Sequence, residues 1–164
     1  MNNNLRNIKL IISDFDGIFT DGGVYFSSIS EEEVKKISFK DIMGLSIAIK
    51  NELKVAFVSG ENSPIVQKVA NKFQLEDVYL GIKQKDTIVN ILSEKYNLSL
   101  NEICFIGDDI NDIPALELVG TKFTVADANY KVKKLDNINI TSQNGGNGAF
   151  REIIDLIIED RNNV

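Results

Sequence analysis

Asp14 and Asp16 stand two residues apart, directly after the apolar stretch 8–13 and just before Gly17. In an extended chain residues i and i+2 point the same way, so the two carboxylates share a side and repel unless a cation or a proton lies between them. Such a pair is a poor choice for stability and a good one for holding a divalent metal through oxygen. Gly17 lets the backbone turn sharply there. Ser59-Gly60-Glu61-Asn62 follows a second apolar run, Lys85 opens a helical stretch after a third, and Gly107-Asp108-Asp109-Ile110-Asn111-Asp112 follows a fourth. Aspartates, a hydroxyl and an ammonium in this combination suit phosphoryl transfer. One carboxylate can attack phosphorus in line and form an aspartyl-phosphate. Mg²⁺ takes oxygen ligands and offsets the repulsion between an anionic nucleophile and an anionic phosphate. A hydroxyl and N–H groups at a helix start hold phosphoryl oxygens, and a lysine neutralises transition-state charge. A second carboxylic acid protonates the leaving alcohol and later activates water.

The elements that must gather these groups are legible as an alternation. Short apolar runs at 9–13, 55–59, 78–80, 103–107 and 123–125 are separated by stretches with helical spacing at 42–53, 64–73, 85–96 and 149–158. Ser63-Pro64 reads as a cap followed by proline in the first turn. Strands alternating with helices predict an α/β fold, a Rossmann-like parallel sheet flanked by helices, with function beyond the carboxyl ends of the strands. The segment 22–39 breaks the alternation. It reads as a small β-hairpin with strands at 24–27 and 34–39, joined by a polar link in which Glu31, Glu32 and Glu33 form a solvated tip. No insertion is long enough for a cap domain, so 1–164 reads as one domain.

Composition narrows the function classes. The 164 residues carry 18 basic and 24 acidic side chains, a net charge of −6, which disfavours non-specific binding to nucleic acid or to an anionic membrane. No window has the length of apolar sequence that spans a bilayer, and the N-terminus lacks a signal-peptide pattern, so the expected compartment is the cytoplasm. There is no histidine, which removes His-based triads, His-bearing zinc sites and His phosphotransfer. The single cysteine, Cys104, lies in an apolar run and reads as a small core residue.

Together, the four motifs Asp14-Phe15-Asp16-Gly17-Ile18-Phe19-Thr20-Asp21-Gly22, Ser59-Gly60, Lys85 and Gly107 to Asp112 resemble those of haloacid dehalogenase (HAD) superfamily phosphatases. Thr20-Asp21-Gly22 before the hairpin, Leu80-Gly81, Val125-Ala126-Asp127-Ala128 and the tail Gly145-Gly146-Asn147-Gly148-Ala149-Phe150-Arg151-Glu152 resemble the capless branch that includes the 3-deoxy-D-manno-octulosonate 8-phosphate (KDO-8-phosphate) phosphatases. The resemblance implies Asp14 as nucleophile and Mg²⁺ ligand, Asp16 as general acid–base with its carbonyl on the metal, and Asp108 as the third protein ligand. It implies that Asp109 and Asp112 act one step further out, on metal-bound water and on Lys85. Ser59 and the Gly60 amide would hold the phosphoryl group, and Lys85 would neutralise it and steady Asp14. It also implies a homotetramer in which neighbours help cover the sites, with the tail glycines bending over the site and Arg151 pairing with a substrate carboxylate or an oligomer contact.

Two positions depart from that branch. Where its members usually carry arginine after the second-motif glycine, this chain has Glu61, as in phosphatases of nine-carbon sugar acid 9-phosphates. Arginine suits an anionic group, whereas glutamate accepts hydrogen bonds from hydroxyls or an amide. Lys72, about three helical turns further on, is expected to supply a cation near that edge. The Arg-Asp step after the hairpin is Lys40-Asp41 here. The expected substrate is thus a small phosphorylated 3-deoxy-2-keto sugar acid, with KDO-8-phosphate first and ketodeoxynononate or N-acylneuraminate 9-phosphate as alternatives. A phospho-receiver domain would also cluster aspartates with a hydroxyl and a lysine, but it has no use for an acid–base at Asp16. A non-catalytic oligomerisation module would not need every catalytic position.

Overall fold

The computed structural model describes residues 5–30 and 33–162. Six strands form one sheet: β1 (Leu10–Ser13), β4 (Lys54–Val58), β5 (Asp77–Tyr79), β6 (Ile103–Ile106), β7 (Thr121–Thr124) and β8 (Asn139–Ile140). Their order is β5-β4-β1-β6-β7-β8 and every neighbouring pair is parallel. Tyr25–Phe26 (β2) and Glu33–Val34 (β3) form a separate antiparallel hairpin. The helices are α1 (Phe39–Lys50), α2 (Pro64–Phe73), α3 (Lys85–Tyr96), α4 (Ile113–Leu118) and α5 (Ala149–Asn162).

Strand alternation sends successive residues to opposite faces, and both faces are covered. Ile11, Phe57, Cys104 and Ile106 pack with Leu45 of α1, Val66 of α2 and Phe150 and Ile153 of α5. Leu10, Ile12, Ala56 and Phe105 pack on the other face with Ile88 and Leu92 of α3 and Leu116 of α4. Full burial of the central strands explains why they read as continuous apolar runs.

Several boundaries differ from expectation for local reasons. The hairpin strands are two residues each rather than 24–27 and 34–39. Beyond them, among the described residues, only Thr20 and Ile37 form a bridge, and Ser38 caps a helix that starts at Phe39, accepting from the Lys40 N–H at 3.2 Å. Glu31 and Glu32 of the expected tip lie outside the described residues; Glu33 opens β3. Ser63 takes the cap position of α2, but its hydroxyl makes no cap bond, so proline at the first turn carries that start. The short α4 and the two-residue β8 carry too little periodicity to be read from sequence.

Chain order places the site. From β1 the chain builds outward through β4 and β5, then crosses back to put β6 on the other side of β1. Crevices at such a switch point, beyond the carboxyl ends of the strands, are where α/β sheets bind ligands. Ser13 of β1 is level with Phe57 of β4 and Ile106 of β6, so the loops that follow all three strands open at one rim.

Candidate active site

Phe15 and Phe19 anchor the loop after β1. Their rings stack at 5.2 Å, Phe57 meets Phe15 edge-on at 5.3 Å, and Phe150 lies 4.4 Å from Phe19. The alternating apolar residues of the first motif therefore serve as a peg, and its aspartates are what the peg presents. Asp14 is held hard: its Oδ1 accepts from the Phe15 N–H at 2.6 Å and its Oδ2 from Lys85 Nζ at 2.6 Å. Lys85, the first residue of α3 and 1% exposed, also donates to Asp112 Oδ1 at 2.6 Å. The other Asp112 oxygen accepts the N–H groups of Asp108 and Asp109 at 3.0 and 3.2 Å. Asp108 accepts no hydrogen bond from a side chain or backbone among the described residues, yet its carboxylate lies so close to Gly17 that a Cβ there would overlap it.

Carboxylate oxygens of Asp14, Asp108 and Asp112 lie within 4.8 Å of one another. Among the described residues Lys85 is the only cation bonded to this group, and it reaches Asp14 and Asp112 but not Asp108. The excess negative charge shows in the titration of Asp14 and Asp108. Burial, then the Asp112 charge, pushes Asp14 up to about 7 against the pull of Lys85. Burial, then the charges of Asp14, Asp112 and Asp109, pushes Asp108 up to about 8. Burial pulls the Lys85 ammonium down, but the Asp14 and Asp112 charges outweigh it and hold it protonated. An oxygen-rich cluster short of positive charge, with one carboxylate unclaimed, fits a hard divalent cation such as Mg²⁺. Asp14 and Asp108 have the oxygens to give; those of Asp112 are committed to Lys85 and the backbone.

The remaining motif residues ring a cleft of about 210 Å³ that includes Asp14, Asp16, Ser59, Gly60, Glu61 and Asp108. Ser59 is buried and its hydroxyl accepts the Glu61 N–H at 3.2 Å. Asp109 sits at the exposed side of the cleft, bonded by Asn129 Nδ2 at 2.9 Å. Asp16 receives Thr20 Oγ1 at 3.2 Å on one oxygen and Lys35 Nζ at 2.8 Å on the other. A larger cleft of about 640 Å³ adjoins it and shares Asp16, Gly22 and Glu61; the hairpin forms one wall and the start of α2 the other.

Two expected substrate contacts are not brought to these clefts. Lys72 lies in the last turn of α2, about 12 Å along the axis from the first turn beside the site, with its ammonium 5.8 Å from the Phe73 ring. Arg151 lies in α5, where its Nε is 2.8 Å from both oxygens of Asp155. The tail glycines also differ from expectation. Gly145 and Gly146 press on the backbone of Gly17 and Thr20, where a Cβ would clash, and the Gly146 N–H donates to Ile18 O at 2.9 Å. They brace the first-motif loop from behind instead of bending over the site. Asp127 receives the Gly145 N–H and Asp41 those of Gly148 and Arg151, which explains both acidic residues structurally. Lys35, Thr20 and Asn129 are the contacts that sequence reasoning missed. Only Thr20 lay inside a recognised motif.

A family model described as haloacid dehalogenase-like hydrolase matches residues 81–153. The 3-deoxy-D-manno-octulosonate 8-phosphate phosphatase of Haemophilus influenzae is 34% identical over 97% of this chain and 87% of its own. That of Escherichia coli K12 is 31% identical over 93% of this chain and 80% of its own. The cobalt-bound Haemophilus influenzae structure superposes with a TM-score of 0.89 at 34% identity, covering 96% of this chain and 91% of that one. The Moraxella catarrhalis enzyme, in complex with magnesium ion, phosphate ion and KDO, superposes with a TM-score of 0.91 at 29% identity, covering 98% and 91%. The chain belongs to the haloacid dehalogenase-like hydrolases, within the branch of the KDO-8-phosphate phosphatases.

Proposed function

We propose that this protein is an Mg²⁺-dependent phosphatase that hydrolyses KDO-8-phosphate to KDO and phosphate. The observation that carries the reading is the meeting of Asp14 and Asp108 with Lys85 at the strand switch point, in a chain similar over nearly its whole length to enzymes of that name.

Asp14 attacks phosphorus in line, breaking the bond to the sugar oxygen and forming an aspartyl-phosphate. Its grip between the Phe15 N–H and Lys85 fixes the attacking carboxylate, so little reorganisation remains at the reacting geometry. Asp16 gives a proton to the leaving sugar oxygen, then takes one from the water that hydrolyses the acyl phosphate. Ser59 and the Gly60 N–H hold phosphoryl oxygens, and Lys85 offsets their charge. Asp14, the Asp16 carbonyl and Asp108 would hold Mg²⁺, which supplies Lewis-acid stabilisation of the transferring group. Asp112 keeps Lys85 in place, and Asp109 orders solvent at the metal side.

Glu61 supports a second reading. It lines both clefts, where it would accept hydrogen bonds from a polyol or an N-acyl group, and so favours a nine-carbon 9-phosphate. Comparing kcat/KM for phosphate release from KDO-8-phosphate, the nine-carbon 9-phosphates and hexose phosphates decides between them. A preference of ~100-fold for KDO-8-phosphate is expected; equal rates on hexose phosphates would defeat both readings.

The protein works as a homotetramer in the cytoplasm. Tyr25, Phe26 and Val34 of the hairpin and Phe39 of α1 are 69%, 78%, 60% and 85% exposed. So large a set of bare apolar side chains on one small projection suits burial against neighbouring copies. The arrangement would also close an open cleft. Light scattering should give four chains; a fully active monomer would overturn the shared-site reading.

A further inference from the structure

We infer that Lys35 of the hairpin is a positioning residue for the acid–base step, gripping Asp16 so that its carboxyl group faces the leaving sugar oxygen. This rests on the reading of Asp16 as the general acid. Three observations carry it. Lys35 Nζ is 2.8 Å from Asp16 Oδ2, and its side chain is only 6% exposed although the hairpin around it is largely bare. A surface lysine normally extends into water, so burying this one takes a specific partner. Asp16 is gripped on its other oxygen by Thr20, whose hydroxyl also accepts the N–H groups of Gly17 and Gly22. The carboxyl group is thus pinned from the first-motif loop on one side and from the hairpin on the other. Finally, Lys35 and Asp16 both line the larger cleft, at its border with the smaller one that holds Asp14. An alcohol leaving from a phosphoryl group at Asp14 has to depart past that border. Among the described residues Glu33, 4.0 Å from the ammonium, is the other carboxylate in reach, and it lies farther off than Asp16.

The hairpin therefore does more than wall the cleft: it reaches the reacting end of the molecule through one side chain. Thr20 alone would leave the Asp16 carboxyl free to rotate about its last bond, and an acid that misses the leaving oxygen loses most of its effect.

Leaving-group dependence tests this without relying on stability. A sugar alkoxide needs a proton to depart, whereas p-nitrophenolate does not, so loss of acid catalysis separates the two substrates. Lys35→Met, Lys35→Arg and Asp16→Asn are compared with the unaltered protein on KDO-8-phosphate and on p-nitrophenyl phosphate, with Mg²⁺ present. Lys35→Met should lower kcat on the sugar phosphate by ~10-fold with little change in KM, and on p-nitrophenyl phosphate by less than ~3-fold. Lys35→Arg, which can keep a charged donor on the same Asp16 oxygen, should recover most of the loss. Equal losses on both substrates, no loss on either, or a raised KM with unchanged kcat would overturn the proposal; the last would make Lys35 a substrate contact. If Asp16→Asn itself fails to separate the substrates, the acid role of Asp16 falls. If it separates them and Lys35→Met does not, only the role of Lys35 falls.

Discussion

Buried acids stand at both ends of the sheet, one at the amino end and a group at the carboxyl end, and they are opposite in kind. At the amino end of β5, Asp77 is bonded by Lys95 at 2.8 Å, Tyr79 at 3.1 Å and the Tyr96 hydroxyl. Burial pushes this carboxyl up, but the hydrogen bonds from Lys95, Tyr96 and Tyr79 outweigh it and hold the group below its ordinary range. At the carboxyl end, Asp14 and Asp112 share one lysine beside an unclaimed Asp108, and Asp14 and Asp108 are pushed far up. The first cluster is complete as it stands. The second is complete only with a further positive charge. Burial of an acid therefore says little about function until its partners are counted.

The largest effect that sharpens this contrast is on turnover. Asp14→Asn should lower phosphate release by at least ~10³-fold with the fold intact by circular dichroism, because a neutral amide cannot form the acyl phosphate. Asp77→Asn should leave kcat/KM within ~2-fold. A large activity loss from Asp77→Asn would erase the distinction between the two ends.

Next is Gly17→Ala. The added methyl would enter the space of the Asp108 carboxylate, at a backbone φ of +76° that L-residues rarely adopt. It should cut kcat by ~100-fold and weaken Mg²⁺ binding, read by titration calorimetry. Unchanged Mg²⁺ affinity would mean that Asp108 is not a ligand.

The stability changes should carry opposite signs. Asp77→Asn removes a satisfied carboxylate and should cost ~1–3 kcal/mol by urea denaturation. Asp108→Asn removes a repelled one and should raise the Tm measured with chelator, while abolishing the Tm gain on adding Mg²⁺. A fall in the chelated Tm would show that Asp108 is structurally satisfied after all.

The smallest expected effect is the dependence on pH. Asp14 and Asp108 titrate above the ordinary carboxylate value, so the folded state holds their protons more tightly than the unfolded chain does. The stability this gives is full below about pH 4 and is lost as pH rises through about 7 and about 8. The Tm contribution of these groups should thus decline across that window in chelator, and the gain from Mg²⁺ should grow. A Mg²⁺ gain independent of pH over the same range would argue against their ionisation being coupled to the metal.

The carboxyl-end side of this contrast was legible in the sequence, whereas nothing there singled out Asp77. Asp14, Ser59, Lys85 and Asp108 follow successive strands, and parallel topology brings such positions to one rim whatever the loops do; α3 runs from Lys85 to Tyr96 as its periodicity predicts. Position across the rim was not legible. Lys72 and Arg151 were placed at the substrate by chain proximity and motif, yet helix length carries one away and Asp155 occupies the other. Lys35 was invisible because two-residue strands give no periodic signal and a lysine pair just after a run of glutamates reads as surface. The tail glycines were legible as permissive backbone, but whether permissiveness serves motion or close packing depends on neighbours more than 100 residues away in sequence.

Anomalous scattering from crystals soaked in Mn²⁺, a stand-in for Mg²⁺ at oxygen sites, tests the central claim most directly. The account predicts one strong peak within ~2.3 Å of a carboxylate oxygen from both Asp14 and Asp108, with none at Asp77. A peak that touches only one of the two, or a site that stays empty at saturating Mn²⁺, would contradict it.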